Sequence, residues 1–414
     1  MAVVRPFRAY RPRVDLAAKV AALPYDVMNS DEAREMVKDN PYSFLHVDKA
    51  EIDLEIGIDL YDERVYEKAR ENLQEMMATG ILVEDSRANF YIYRQVMNGR
   101  QQTGLVACAS IDDYLNNIIK KHENTRADKE ADRIKHVDYC NAHTGPIFLT
   151  YRSVAEISTI LENWTEREPI YDIQAEDGID HIIWVIDDAA VIRRLQELFQ
   201  EVGNLYIADG HHRCASAVRV GQMRRKAKPD FTGEEEFNYF LAVIFPDKDL
   251  YIMDYNRVVQ DLNGLGREEF LTAVKKRFEV TPHSGPGPYK PKQKHRMGMY
   301  LDGQWYELKV REGSFPADDP VQRLDVSILQ NQLLQPVLGI DDPRTDKRID
   351  FIGGIRGLGE LEKRVTEGMA VAFSMYPTGI DELMDIADAG QVMPPKSTWF
   401  EPKLRSGLFI HKLS

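Results

Sequence analysis

Cysteine is scarce in this sequence and widely spaced: only Cys108, Cys140 and Cys214 occur in 414 residues. This spacing suits neither a disulfide framework nor a CxxC metal site, and it favours a reducing compartment. Long apolar runs are also missing, since no uncharged stretch approaches the length of a membrane span and the first residues form no apolar signal region. We therefore expect a soluble, cytoplasmic protein with no membrane partner.

Basic residues are outnumbered by acidic ones. The 53 lysines and arginines against 67 aspartates and glutamates give a formal net charge of −14. An acidic protein repels polyanions at long range, so nucleic acid is disfavoured as a partner. A glycine-rich Walker loop and an HExxH zinc motif are absent as well. Any phosphate site must therefore be a smaller cradle.

Helix-period and strand-like segments alternate through the chain, which predicts a mixed α/β (α+β) fold with mixed sheets and crossover helices. We divide it into an N-terminal region (1–105), a core region (106–256) and a C-terminal region (257–414). Asn98-Gly99 and Asp302-Gly303 predict hairpins. We also expect strands at 23–27 and 43–47, and a hairpin between 237–245 and 250–255.

The sequence centres on one turn, within residues 205–217. An apolar run ends at Asp209-Gly210, and small residues then recur at helical spacing, which predicts strand, tight turn and helix. The first helical turn would offer unpaired N–H groups and Arg213 a planar fork of donors, typical of a phosphate or carboxylate site. His211 and His212 would point about 100° apart, so at most one faces a ligand. The alternatives are an ordinary helix cap by Asp209 and, without supporting spacing, a zinc site.

A second segment, residues 122–126, combines a histidine, a carboxylate, a hydroxyl and a cation. Glu123 could deprotonate an alcohol or hold Mg²⁺, while His122 and Thr125 orient the substrate. The alternative is a solvated segment that caps the following helix.

A third segment, residues 393–407, places cations and hydroxyls among prolines. Lys396, Lys403 and Arg405, with Ser397 and Thr398, could form an oxyanion clamp on a stiffened backbone. The alternative is a proline-rich surface connection. Tyr25-Asp26 is a weaker candidate for substrate binding, because an aspartate after an aromatic residue is usually a turn former.

These segments, with Asn40-Pro41-Tyr42, resemble in kind and order the recurring motifs of the DUF1015 family, over essentially the whole chain. The Asp-Gly-His-His-Arg turn is also similar to the phosphate-binding turn of the ParB/sulfiredoxin-like superfamily, in which Gly-x-x-Arg opens a helix. That superfamily includes nucleotide-dependent free serine kinases, sulfiredoxins and partition proteins. The resemblance implies a ParB/sulfiredoxin-like core, with Arg213 and the backbone after Gly210 holding phosphate and Glu123 activating an acceptor hydroxyl.

Our leading hypothesis is a phosphotransferase that uses ATP or ADP with Mg²⁺ and a small hydroxylated metabolite such as serine. A sensor that binds a nucleotide without chemistry, and a phosphoester hydrolase using His211 or His212, stay open. The predicted catalytic residues are His122, Glu123, Asp209 and His211. The predicted phosphate-binding residues are Thr125, Gly210, His212, Arg213, Lys396, Ser397, Thr398, Lys403 and Arg405. Tyr25 and Asp26 are the predicted substrate-binding residues.

Overall fold

The structure, a computed structural model, describes residues 1–414. The chain divides into two compact units, one formed by residues 1–250 with 402–414 and the other by residues 251–401. None of its helices combines the length and the apolar character needed to cross a bilayer.

The first unit is built on a large mixed sheet. Its strands before residue 250 are β1 (Val4–Arg5), β2 (Tyr10–Pro12), β3 (Leu82–Glu84), β4 (Phe90–Met97), β5 (Arg100–Ser110), β6 (Ile119–Lys120), β7 (Ala142–His143), β8 (Ile147–Tyr151), β9 (Tyr171–Gln174), β10 (Asp180–Ile186), β11 (Leu205–Asp209) and β12 (Tyr239–Pro246). Nine of them form one sheet in the order β6-β11-β8-β12-β5-β4-β10-β9, with β1 paired to β5. The pairs β6–β11 and β8–β12 are parallel and the other neighbours antiparallel.

Helices fill the long connections that parallel neighbours require. The helices of this unit are α1 (Ala17–Val20), α2 (Ser30–Val37), α3 (Leu45–Asp48), α4 (Glu63–Ala78), α5 (Ile111–Leu115), α6 (Ala127–Cys140), α7 (Ala155–Trp164), α8 (Ala189–Glu201) and α9 (His211–Ala227). The main core joins buried sheet residues such as Leu149 and Ile207 to Leu161 of α7 and Phe199 of α8. The mixed α/β class is thus confirmed.

The second unit is built on an antiparallel sheet. Its strands are β13 (Ile252–Met253), β14 (Tyr255–Val259), β15 (Phe278–Pro282), β16 (Arg296–Leu301), β17 (Gln304–Val310), β18 (Ile349–Gly353), β19 (Val371–Ser374) and β20 (Trp399–Phe400). Its helices are α10 (Arg267–Arg277), α11 (Asp325–Leu329), α12 (Gly359–Thr366) and α13 (Ile380–Asp388). Six strands pair in the order β15-β17-β16-β19-β14-β18, and β13 pairs with β20.

The last segment of the chain returns to the first unit. It carries β21 (His411–Lys412), which pairs with β7 and places His411 directly opposite His143. Ile410 is fully buried in a second core with Phe44, Leu73 and Cys140. The C-terminal residues are therefore part of the core of the first unit.

Local sequence signals gave mixed results. The hairpins at Asn98-Gly99 and Asp302-Gly303 are confirmed as β4–β5 and β16–β17. The expected strand at 43–47 is wrong, because helix α3 begins at Leu45, and residues 23–27 form a turn rather than a strand. The expected hairpin after Pro246 is also wrong, because β12 pairs with β5 and β8 while β13 pairs with β20.

The two units group the chain differently from the three regions expected from the sequence. The 105/106 boundary falls inside β5, whose pairing with β4 and β12 ties both sides of it into one sheet. The three-region division stays a prediction.

Candidate functional site

Gly210 joins β11 to α9 and begins the site. It has φ +90° and ψ 33°, a left-handed conformation that glycine adopts without steric cost. As the N-cap residue it supplies no side-chain hydrogen bond, whereas Asn29, Asp62 and Ser110 cap their own helices. The predicted strand, turn and helix are confirmed, but Asp209 is not the cap. The first-turn N–H groups of this 17-residue helix are therefore left for an external acceptor.

A pocket opens at this helix start. Its walls come from four places: the 24–26 turn, the start of β8 with the loop before it, the β11–α9 turn and the C-terminal segment. The lining residues are Pro24, Asp26, Pro146, Phe148, Asp209, Gly210, Arg213, Lys403 and Leu404. Two cations, Arg213 and Lys403, thus stand beside an uncapped helix N-terminus, the arrangement that binds anions.

Arg213 occupies the inner end of this pocket. Its Nη1 donates to the carbonyl of Pro146 at 3.4 Å, and its Nη2 lies 3.9 Å from an Asp26 carboxylate oxygen. Nη2 is buried and has no hydrogen-bond partner in the protein. A Cβ on Gly145 would lie 3.2 Å from Nη1, so a glycine there leaves room for the guanidinium. The unused donor makes Arg213 the group best prepared to meet a ligand.

Lys403 and Asp209 form an ion pair at the pocket wall, with 2.8 Å between Nζ and Oδ2. Asp209 also accepts a hydrogen bond from the Gly210 N–H at 2.8 Å. Desolvation alone would raise the pKa of Asp209, but the charges of Lys403 and Arg213 outweigh it and lower that pKa to about 2. Asp209 is therefore ionised, and it orients Lys403 rather than accepting a proton.

The 122–126 segment packs against the same turn. Glu123 Oε2 lies 3.8 Å from His211 Nδ1, and the rings of His122 and His211 meet edge to face at 4.5 Å. His212 Nε2 accepts the backbone N–H of Arg126 at 3.0 Å. The two segments therefore lie together around one helix start.

Burial sets the charge of this histidine cluster. Desolvation lowers the pKa of His122 to about 4 and holds the pKa of His211 well below its ordinary value. Both rings are therefore neutral at pH 7, and each can accept a hydrogen bond on its unprotonated nitrogen. Glu123 is 45% exposed and is the carboxylate of this cluster that solvent reaches. Thr125 donates instead to Glu130 at 2.9 Å.

Tyr25 lies between two arginines. The guanidinium carbons of Arg133 and Arg213 are 4.1 and 5.1 Å from its ring centre. Burial raises the pKa of Tyr25 to about 12, so the phenol stays neutral. Its neighbour Asp26 is 56% exposed at the pocket edge. The weakest sequence candidate thus lies beside Arg213.

Arg405 lies outside this pocket. Its Nε donates to His181 Nε2 at 3.1 Å, its Nη2 pairs with Asp177, and its backbone N–H donates to the Tyr93 hydroxyl. Only 7% of its side chain is exposed. These contacts fix Arg405 inside the first unit, so its guanidinium is already engaged by protein groups.

Lys396, Ser397 and Thr398 belong to the second unit. Ser397 Oγ donates to the carbonyl of Pro394 at 2.6 Å, and its own carbonyl accepts the hydroxyl of Thr378. Lys396 is exposed with φ +57°, and Thr398 is half-buried just before β20. Their phosphate-binding role stays a prediction.

Two contributors escaped the sequence analysis. No role was predicted for Gly145-Pro146, yet Pro146 supplies a pocket wall and a carbonyl to Arg213. None was predicted for Arg133 either, although its guanidinium stacks on Tyr25. The available signal for Pro146 was a glycine-proline pair just before a buried strand. No sequence signal pointed to Arg133.

The family profile described as "Protein of unknown function (DUF1015)" matches residues 4–327. The chain belongs to this family. The match includes the 24–26, 122–126 and 209–213 motifs of this DUF1015 protein, and it ends before the 395–403 motif. A comparison with the curated proteins found no match.

Solved structures give only distant likenesses to this DUF1015 protein. A free serine kinase in complex with AMP is 12% identical, with 71% of this chain and 86% of that chain covered and a TM-score of 0.35. A free serine kinase variant in complex with ADP is 14% identical, with 71% and 87% covered and a TM-score of 0.35. A conserved hypothetical protein from Pyrococcus furiosus is 13% identical, with 73% and 93% covered and a TM-score of 0.34. TM-scores of this size carry no inference about activity.

Proposed function

We propose that this DUF1015 protein transfers a phosphoryl group between a nucleotide, ATP or ADP, and the hydroxyl of a small metabolite such as serine. The observation that carries the proposal is the convergence of an uncapped helix N-terminus, Arg213 and Lys403 on one pocket. Backbone N–H groups, a guanidinium fork and an ammonium are the donors that hold phosphate oxygens. They stand out in a chain with a net charge of −14.

Phosphoryl transfer mainly requires positioning and charge neutralisation, with a carboxylate to take the proton of the attacking hydroxyl. Glu123 suits that role because its carboxylate is half exposed and belongs to the cluster at the helix start, 3.8 Å from His211. Asp209 is unsuited to it, since its pKa of about 2 makes it a weak base.

Mg²⁺ fits this site as a companion of the nucleotide rather than as a resident ion. No group of three or more histidine, cysteine, aspartate or glutamate side chains is arranged to hold a metal. Mg²⁺ bound to nucleotide phosphates commonly uses only one or two protein carboxylates. Asp26, which is 56% exposed at the pocket, is the carboxylate that would hold the ion, and the ion would neutralise charge on the transferred group.

The test is phosphorus NMR of the purified protein with ATP or ADP, Mg²⁺ and a panel of small hydroxylated metabolites, beside calorimetric titration of the nucleotide. We expect a new phosphate ester that appears only with an acceptor. Glu123→Gln should keep nucleotide affinity within about twofold and lower turnover by about 10²–10⁴-fold, the usual contribution of a general base. Glu197→Gln, at an exposed glutamate on α8, is the matched control.

The same measurements separate the alternatives. Nucleotide binding without any ester in the wild-type protein would identify a sensor. Release of inorganic phosphate without an acceptor would identify a hydrolase. Either result, or the absence of nucleotide binding, would overturn the proposal.

A further inference from the structure

A second polar pocket also has Arg213 in its lining, so that Arg213 lines both this pocket and the one at the helix start. Its polar walls include Arg133, Asp48 and His143. Tyr25, between the two arginines, is also part of its lining.

The acid and base groups around this pocket are mostly satisfied within the protein. Asp48 accepts the Thr144 hydroxyl at 2.8 Å, and Arg133 pairs with Asp132 at 2.9 Å. Two polar atoms are exceptions. Arg213 Nη2 and His143 Nε2 are both buried and have no hydrogen-bond partner, although Nη2 lies 3.9 Å from an Asp26 oxygen. Buried polar atoms without partners are rare in proteins, so their presence on two residues of one pocket lining points to a ligand that meets both residues.

His143 is held by a chain of hydrogen bonds that ends at the protein surface. Its Nδ1 lies 3.2 Å from His411 Nδ1, and His411 Nε2 lies 2.7 Å from Glu236 Oε2. Glu236 also pairs with Arg5 at 2.6 Å. Burial would raise the pKa of Glu236, but His411 and Arg5 outweigh it and hold that pKa below its ordinary value.

This chain determines which nitrogen of His143 carries the proton. An ionised Glu236 only accepts, so His411 Nε2 carries a proton. A neutral His411 then accepts on Nδ1, and His143 must donate from its own Nδ1. His143, which lines the pocket, is left with a lone pair on Nε2. This assignment requires a neutral His411, because a doubly protonated His411 would donate to His143 Nδ1 and reverse the tautomer.

We propose that this pocket is the acceptor subsite, and that it takes a small carboxylic acid that bears, beside the hydroxyl to be phosphorylated, a second hydroxyl or an ammonium group. Arg213 and Arg133 attract the carboxylate, and His143 Nε2 accepts the hydrogen bond from that second group. His411 and Glu236 are positioning residues that fix the His143 tautomer. The assignment as acceptor subsite rests on the proposed phosphotransfer, because Arg213 would then contact both the phosphate and the acceptor.

The test is nitrogen NMR of protein labelled with ¹⁵N-histidine, in which ring nitrogens with and without a proton have distinct shifts. The chain has ten histidines, so single variants are needed to assign their signals. His143→Gln identifies the signals of His143, and His283→Gln, in the second unit, is the control. We expect His143 protonated on Nδ1 and His411 on Nε2. His411→Phe should leave His143 as a mixture of tautomers, an effect that loss of packing alone would not produce.

The ligand arm uses three probes of similar size: L-lactate, L-alanine and propionate. Lactate or alanine should shift the His143 Nε2 signal and bind about tenfold more tightly than propionate, which lacks the hydrogen-bond donor. A proton on His143 Nε2 in the free protein, equal responses to the three acids, or no response to any of them would overturn the subsite. Phosphate transfer detected together with a His143 signal that none of the three acids shifts would overturn this inference and leave the proposed function standing.

Discussion

Replacing Arg213 should weaken ligand binding much more than it destabilises the folded protein. Its Nη2 has no hydrogen-bond partner in the protein, and its Nη1 makes one long hydrogen bond, at 3.4 Å, to the carbonyl of Pro146. Arg213→Met should therefore remove one or two charge-assisted hydrogen bonds to phosphate, each worth about 1.5–3 kcal/mol. Loss of one such bond corresponds to a 10- to 150-fold weaker affinity for ADP.

The cost to the free protein should be smaller. Arg213→Met removes the contact with the Tyr25 ring, worth about 0.5–2 kcal/mol, while the 3.9 Å pair with exposed Asp26 contributes little. We expect Tm to fall by a few degrees. Arg213→Lys keeps the charge but loses the planar fork, so its affinity should lie between those of the wild type and Arg213→Met.

The assay is calorimetric titration with ADP and Mg²⁺ at fixed salt, together with thermal unfolding of each free variant. Arg224→Lys is the control, because Arg224 lies near the end of the same helix and pairs with Asp138. An Arg213→Met protein that folds and binds ADP within twofold of the wild type would refute the assignment of this pocket.

Three further outcomes are expected. Gly210→Ala should lower the free energy of unfolding by about 1–2 kcal/mol, since φ is +90°, while Gly203→Ala, which meets no neighbouring atom, should have less effect in the same urea titration. Because the folded-state pKa of Asp209 is lowered to about 2 from 3.8, its contribution to stability is present above about pH 4 and is lost as pH falls toward 2. Lys403→Met should raise that pKa, as measured by carboxyl ¹³C NMR against pH. Arg405→Met should lower the free energy of unfolding by about 1–3 kcal/mol because it leaves the buried His181 Nε2 without its hydrogen-bond donor, yet ADP affinity of the folded protein should be unchanged; a selective loss of ADP affinity would support the predicted phosphate-binding role of Arg405.

Short-range patterns predicted the centre of the site. The apolar run before Asp209-Gly210 and the small residues after it were enough to predict a strand, a turn and a helix. Gly210 was interpretable because few other residues adopt its backbone conformation. The hairpins at Asn98-Gly99 and Asp302-Gly303 were predictable for the same local reason.

Contacts between distant parts of the chain were not predictable in this way. Lys403 reaches Asp209 across 194 residues, and His143 meets His411 across 268. Arg405 lies two residues from Lys403 and was predicted to share its role, yet its partners are Asp177 and His181. Spacing along the chain specifies which residues are neighbours on an element, but not which element lies opposite.

The most direct measurement is a crystal structure of the wild-type protein with ADP. The account predicts a phosphate within hydrogen-bond distance of the first-turn N–H groups of α9 and of the side chains of Arg213 and Lys403. Phosphate density elsewhere, with this helix start filled by water, would contradict it.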